Sequence, residues 1–199
     1  MRDQFEFLGL KKDRREEACK KFWSENQIPQ DHNLIDLVKL LWAEPYRELQ
    51  YIAMQLFEKA IKKSDSSSLD LLEYMIVTKS WWDTVDFIAA NLVGAFFKRH
   101  PELKKQIPEN WIISDNMWLR RTAIIYQLKY KKDTDTDRLF SFVLKTAHEK
   151  EFFIQKAQGW ALREYAKTDA KSIVDFVKSN ESRLSNLTKR EALKHQNRK

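Results

Sequence analysis

Cysteine occurs once, at Cys19, so the chain can close no internal disulfide. Three glycines and four prolines in 199 residues are too few for the many tight turns of a β-rich fold. No apolar run reaches the roughly 18 residues that suggest a membrane span, and the first residues lack the charged-then-apolar pattern of a secretory leader. These absences point to a soluble, intracellular protein with no membrane association, expected in the cytoplasm. The four histidines, His32, His100, His148 and His195, are scattered without metal-ligand spacing to Cys19 or to one another. Neither a structural nor a catalytic metal is expected.

Leu, Lys, Glu, Ala and Gln are abundant instead, the composition of a nearly all-helical protein. Lys and Arg number 36 against 29 Asp and Glu, a formal charge of +7, which suits a polyanionic partner but is modest for a dedicated nucleic-acid arm. Seven tryptophans are present, several beside basic residues, as in Trp118 with Arg120 and Arg121 or Trp160 with Arg163. Such interleaving fits nucleic-acid contact; it equally fits helical repeats that use Trp to fill their cores.

The strongest signal is a fourfold echo. Tyr46 to Leu56 (YRELQYIAMQL), Trp82 to Leu92 (WDTVDFIAANL), Trp118 to Leu128 (WLRRTAIIYQL) and Phe152 to Leu162 (FFIQKAQGWAL) each open with an aromatic and close with leucine. The closing leucines stand 36, 36 and 34 residues apart, the period at which helix pairs stack in an α-solenoid. The expected fold is therefore all-α: a right-handed superhelix of antiparallel helix pairs. No low-complexity linker interrupts the series, so residues 1–199 are read as a single repeat domain.

Breaks between helices follow the turn residues. Pro29 and Asp31 open a helix running through Trp42, and Pro45 precedes the next. The run Ser64 to Ser68 separates that helix from one over Leu69 to Thr78, and Ser80 is the expected cap of a helix from Trp82 to Arg99 that Pro101 ends. Gln106 to Asn116, with Pro108 and Ser114, reads as the longest loop. Helices over Trp118 to Lys131, Asp137 to His148 (capped by Thr134 or Thr136), Glu151 to Lys167 and from Asp169 through Ser179 follow, with a short helix beginning at Thr188. Asp3 to Leu10 is apolar enough to pack although little precedes it, so the stack is expected to lack an amino-terminal cap, and Gln196 to Lys199 read as a frayed basic tail.

Overlaying the copies separates shared from exceptional positions. The sixth, seventh and eleventh positions are core. The fifth is polar in every copy (Gln50, Asp86, Thr122, Lys156) and is expected to face solvent, and four residues on the same face carries Met54, Ala90, Tyr126 and Trp160. One surface would then hold Asp86, Lys156, Tyr126 and Trp160, with Trp82 one turn before Asp86. Each has a plainer reading: Asp86 as an ordinary ion-pair partner, Trp82 as packing, Trp160 as either buried or exposed, and Arg120 with Arg121 as a solvated pair.

Ser80 to Asp86 (SWWDTVD), Trp118 to Ile124 (WLRRTAI), and Phe152 to Leu162 with the run on to Tyr165 (FFIQKAQGWALREY) together resemble the AlkD-type DNA alkylation repair glycosylases, built of HEAT-like repeats. The similarity extends from Phe5 to about Leu193 in order and spacing. The resemblance implies excision of cationic N3- and N7-alkylated purines from double-stranded DNA by a monomer, with no metal or cofactor. By position, Trp82, Asp86, Arg121 and Trp160 match the family's active-site residues; Lys156, Arg163, Tyr126 and Arg120 are the expected DNA contacts around them.

The implied chemistry suits these residue types. An alkylated, cationic base is already a good leaving group, and breaking its bond to C1′ moves positive charge onto the sugar, where a carboxylate stabilises it. On this reading Asp86 is that carboxylate, Trp82 and Trp160 pack on sugar and backbone, and Arg121 holds a phosphate. The lesion is then handled from the backbone side, without a flipped-base pocket. One departure is the start: relatives carry further helical sequence before the segment matching DQFEFLGL.

Two other classes compete. A non-catalytic HEAT-like scaffold would bind DNA or protein without needing Trp82, Asp86, Arg121 and Trp160 to converge. An armadillo-like peptide receptor would carry asparagine ladders, which the repeat positions lack.

Overall fold

A computed structural model of the chain describes residues 3–29 and 31–194. Among these all the regular structure is helical, with no strand; one isolated parallel bridge joins Glu6 to Tyr46. This is the all-α architecture expected from the repeat, an α-solenoid of helix pairs. No helix among the described residues is long and apolar enough to cross a membrane. The chain divides into two compact units, one reaching Met75 and the other beginning at Ile76.

In the first unit α1 (Lys12–Glu25), α2 (Asp31–Ala43) and α3 (Arg47–Ala60) precede α4 (Ser68–Val77), whose last residues fall in the second unit. The highly charged α1 gave no periodic signal in the sequence, its only buried residue being Arg15. The apolar segment before it is clamped rather than loose: the Glu48 carboxylate accepts hydrogen bonds from the backbone N–H groups of Leu8, Gly9 and Leu10 at 2.9–3.1 Å. Gly9 makes the turn there, at a φ of +83°. Burial pushes the Glu48 carboxyl up, but the amide donors outweigh it and hold the group below its ordinary value.

In the second unit α5 (Trp82–Phe87), a π-helical turn (Ile88–Val93) and α6 (Gly94–Arg99) form one continuous rod. Its cap is Trp81; Ser80 instead donates its hydroxyl to the Ile76 carbonyl. The rod is followed by α7 (Pro101–Ile112), α8 (Met117–Ile125), α9 (Thr136–Lys145), α10 (Phe152–Ala166), α11 (Ala170–Ser179) and α12 (Asn186–Ala192). Pro101 opens α7, so the expected loop at Gln106 is mostly helix, with Pro108 inside it. Proline there removes the donor that the Lys104 carbonyl would have used, and Arg138 Nη1 donates to that oxygen at 2.6 Å. Asp135, rather than Thr134 or Thr136, caps α9, and the last helix starts at Asn186 rather than Thr188, with Ser185 as its cap. The Gln196–Lys199 tail lies outside the described residues.

Candidate nucleic-acid site

In the second unit α8 packs against both α5 and α10, and the copies of the repeat on these three helices bring the predicted residues together. A cleft of about 360 Å³ is lined by Trp82 and Asp86 from α5, Arg121 from α8, and Phe152, Phe153, Lys156, Trp160 and Arg163 from α10. Larger hollows exist, including one of about 490 Å³ in the first unit, so size does not single this cleft out. Its chemistry does: a carboxylate, three cations and four aromatic rings converge.

At the floor Arg121 holds Asp86 with both arms, Nε to Oδ1 at 2.7 Å and Nη2 to Oδ2 at 2.8 Å. Its remaining nitrogen, Nη1, donates to the Phe153 carbonyl. The Arg121 side chain is 5% exposed and that of Asp86 16%, so the carboxylate is the end of the pair nearer to solvent. Burial lifts the Asp86 carboxyl above its ordinary value, and the hydrogen bonds and charge of Arg121 pull it back in part.

Beneath this pair Trp81, Trp118 and Phe153 pack ring against ring, with centroids 5.2–6.0 Å apart. Thus Trp118, which opens the third copy, is packing, whereas Trp82 and Phe152, which open the second and fourth, project at 45% and 57% exposure. Trp82 and Asp86 share a face because both precede the π turn; beyond it the 3.6-residue register no longer applies, and the fifth-to-ninth-position stripe does not continue.

At the rim, Lys156 and Arg163 lie two turns apart on α10 and share one partner. Glu191 of α12 accepts from Lys156 Nζ at 2.9 Å through Oε1 and from Arg163 Nη1 at 2.5 Å through Oε2. The Lys156 hydrogen bond leads in holding the Glu191 carboxyl at about 2, with Arg163 adding to it against the effect of burial.

Two expected DNA contacts are corrected. Tyr126 is fully buried, packed edge-on against Phe97 and Tyr130 with its hydroxyl 3.5 Å from Arg138 Nη1. Arg120 is drawn away from the cleft by Glu149 at 2.9 Å and by the Ser114 and Asp115 carbonyls. The solvent-facing fifth position also fails for Gln50 and Thr122, both wholly buried, and Met54 is buried as well. Gln50 is polar because it caps carbonyls at the end of α2, donating to Trp42 and Glu44 at 3.1 and 2.8 Å.

The family model for DNA alkylation repair enzymes matches residues 1–196. The chain belongs to the DNA alkylation repair enzyme family. Among solved structures it is similar to a protein described as a predicted DNA alkylation repair enzyme from Enterococcus faecalis, at 28% identity and a TM-score of 0.90, covering 100% of this chain and 92% of that one. Comparison with curated proteins gave no match. For a DNA alkylation repair enzyme the substrate is DNA, and the cleft has the mixture of cations and rings suited to a sugar-phosphate backbone. Phe152, Phe153 and Glu191 were not singled out from sequence. The two phenylalanines stood in the echo at its aromatic opening; Glu191 lies 28 residues beyond Arg163 with no motif to mark it.

Proposed function

We propose that this chain is a DNA glycosylase that hydrolyses the bond between deoxyribose and a cationic N3- or N7-alkylated purine in duplex DNA. The observation that carries the proposal is the Asp86–Arg121 pair, a carboxylate turned toward an aromatic cleft by a more deeply buried guanidinium. In the reaction the C1′–N bond breaks with its electron pair leaving on the base, which cancels the base's positive charge. The sugar is left as an oxocarbenium ion; water adds at C1′ and loses a proton. Asp86 stabilises the sugar cation, and a preorganised charge of this kind is worth on the order of a hundredfold in rate.

Trp82 and Trp160 pack against the sugar and backbone, and Lys156 and Arg163 take the flanking phosphates. Arg121, with all its arms turned inward, is a positioning residue for Asp86 rather than a phosphate ligand. The reading calls for no metal or cofactor, and for HEAT-like repeats acting as a cytoplasmic monomer. Incubating the chain with methylated duplex and quantifying free 7-methylguanine and 3-methyladenine tests it: release well above spontaneous loss is expected, and tight binding with no release would point to a scaffold.

A further inference from the structure

Glu191 stands where neither the proposed chemistry nor the repeat requires a charge. It sits on α12 and is nearly buried, yet it reaches two cations of the cleft with its two oxygens. The approach is built in. A Cβ on Gly159 would lie 2.5 Å from the Glu191 Cβ and 2.9 Å from the Thr188 carbonyl, so the glycine allows α12 to lie directly on α10. A buried chain fixes the two helices further: Thr188 Oγ1 donates to Gln158 Oε1 at 2.7 Å, and Gln158 Nε2 donates to the Thr146 carbonyl at 2.9 Å. Glu191 is therefore held on a rigid base, as positioning groups must be.

Its two acceptors engage only part of each cation. Among the described residues, Lys156 gives one of its three donors to Glu191, and Arg163 gives Nη1, leaving Nε and Nη2. Flexible basic side chains lose rotamer freedom when they grip a phosphate; here one carboxylate has already fixed both.

We propose that Glu191 is a positioning residue for the DNA backbone, holding Lys156 and Arg163 as a paired phosphate clamp at the cleft rim. The inference rests on the glycosylase reading for its effect on excision, but not for its effect on binding. The clamp sets where the lesion's sugar lies relative to Asp86, and misplacement on the ångström scale lowers rates by on the order of tenfold to a hundredfold.

The test compares the parent with Glu191→Gln, with the double variant Lys156→Gln and Arg163→Gln, and with all three changes combined. For each, the unfolding midpoint, the single-turnover release of 7-methylguanine at saturating protein, and the affinity for undamaged duplex over a salt series are measured. Glu191→Gln should bind duplex at least as tightly as the parent, because a negative charge is gone, yet release base about tenfold more slowly at saturation. In the double-variant background the same change should have no further effect on release. Parental release by Glu191→Gln, or an undiminished loss in the double-variant background, overturns the positioning role. Should the parent release no base, the glycosylase reading alone fails, and the clamp is judged on binding. The double variant should lower the salt slope by about two phosphate contacts; an unchanged slope overturns the clamp. If Glu191→Gln does not fold, Glu191→Asp takes its place in the release comparison, with the same expected loss and the same overturning result.

Discussion

Arg121 meets Asp86 fork to fork, at 2.7 and 2.8 Å, and is the more buried of the two. The arrangement fixes the carboxylate's plane and separates two roles that the sequence motif joined: Asp86 faces the cleft, and Arg121 holds it there.

Arg121→Ala should therefore act first on the fold. Removing one partner leaves a desolvated carboxylate, which destabilises by about 3–5 kcal/mol and drives Asp86 toward its neutral form. Arg121→Lys should retain more stability but lose the two-armed grip and most excision. Urea midpoints and single-turnover rates check both; an Arg121→Ala protein of parental stability with only weakened DNA affinity would restore the phosphate role.

Gly159→Ala should push α12 from α10, because the added methyl would meet the Glu191 Cβ at 2.5 Å and the Thr188 backbone at 2.9 Å. Overpacking of this kind destabilises by about 1–3 kcal/mol. Thermal unfolding measures it, and an unchanged midpoint would mean that the helices do not touch at this glycine.

Acid should act on two carboxylates in opposite senses. Glu191 titrates lower in the fold, at about 2, than its ordinary 4.5. Its stabilisation is thus complete above the ordinary value and is lost as pH falls through that window. Asp86 is raised by burial, so the folded chain takes up its proton more readily than the unfolded one, and this group favours folding on acidification. On the glycosylase reading excision needs Asp86 ionised and should decline, as pH falls, before an ordinary carboxylate would titrate. A release rate flat from neutral pH down through the ordinary carboxylate range would contradict the role of its charge.

Tyr126→Phe should change neither DNA affinity nor excision, since the ring is buried against Phe97 and Tyr130. Its long hydrogen bond with Arg138 should contribute at most about 1 kcal/mol. Weaker binding to duplex, measured by fluorescence anisotropy, would place Tyr126 at the surface after all.

Much of the site was legible because its residues occupy equivalent turns of an echoing sequence: Trp82, Asp86, Arg121 and Trp160 lie on helices whose stacking the period already announced. Several errors share one cause. Polarity was taken for exposure, whereas Gln50 is polar because it donates to carbonyls at the end of a neighbouring helix, and Arg120 because it pairs with Glu149. Helix α7 was hidden by Pro108, whose missing donor is compensated by an arginine 30 residues away, and the π turn by the absence of any sequence mark. Glu191 depends on a contact between α10 and α12 that no local pattern encodes.

The most direct measurement is the single-turnover release of 7-methylguanine by Asp86→Asn beside the parent, with affinity for the same duplex recorded separately. The amide keeps the shape and can still accept from Arg121, but it removes the negative charge proposed to meet the sugar cation. Release should fall by about a hundredfold or more while affinity stays near the parental value. Release at the parental rate would make Asp86 a structural ion-pair partner and contradict the catalytic assignment.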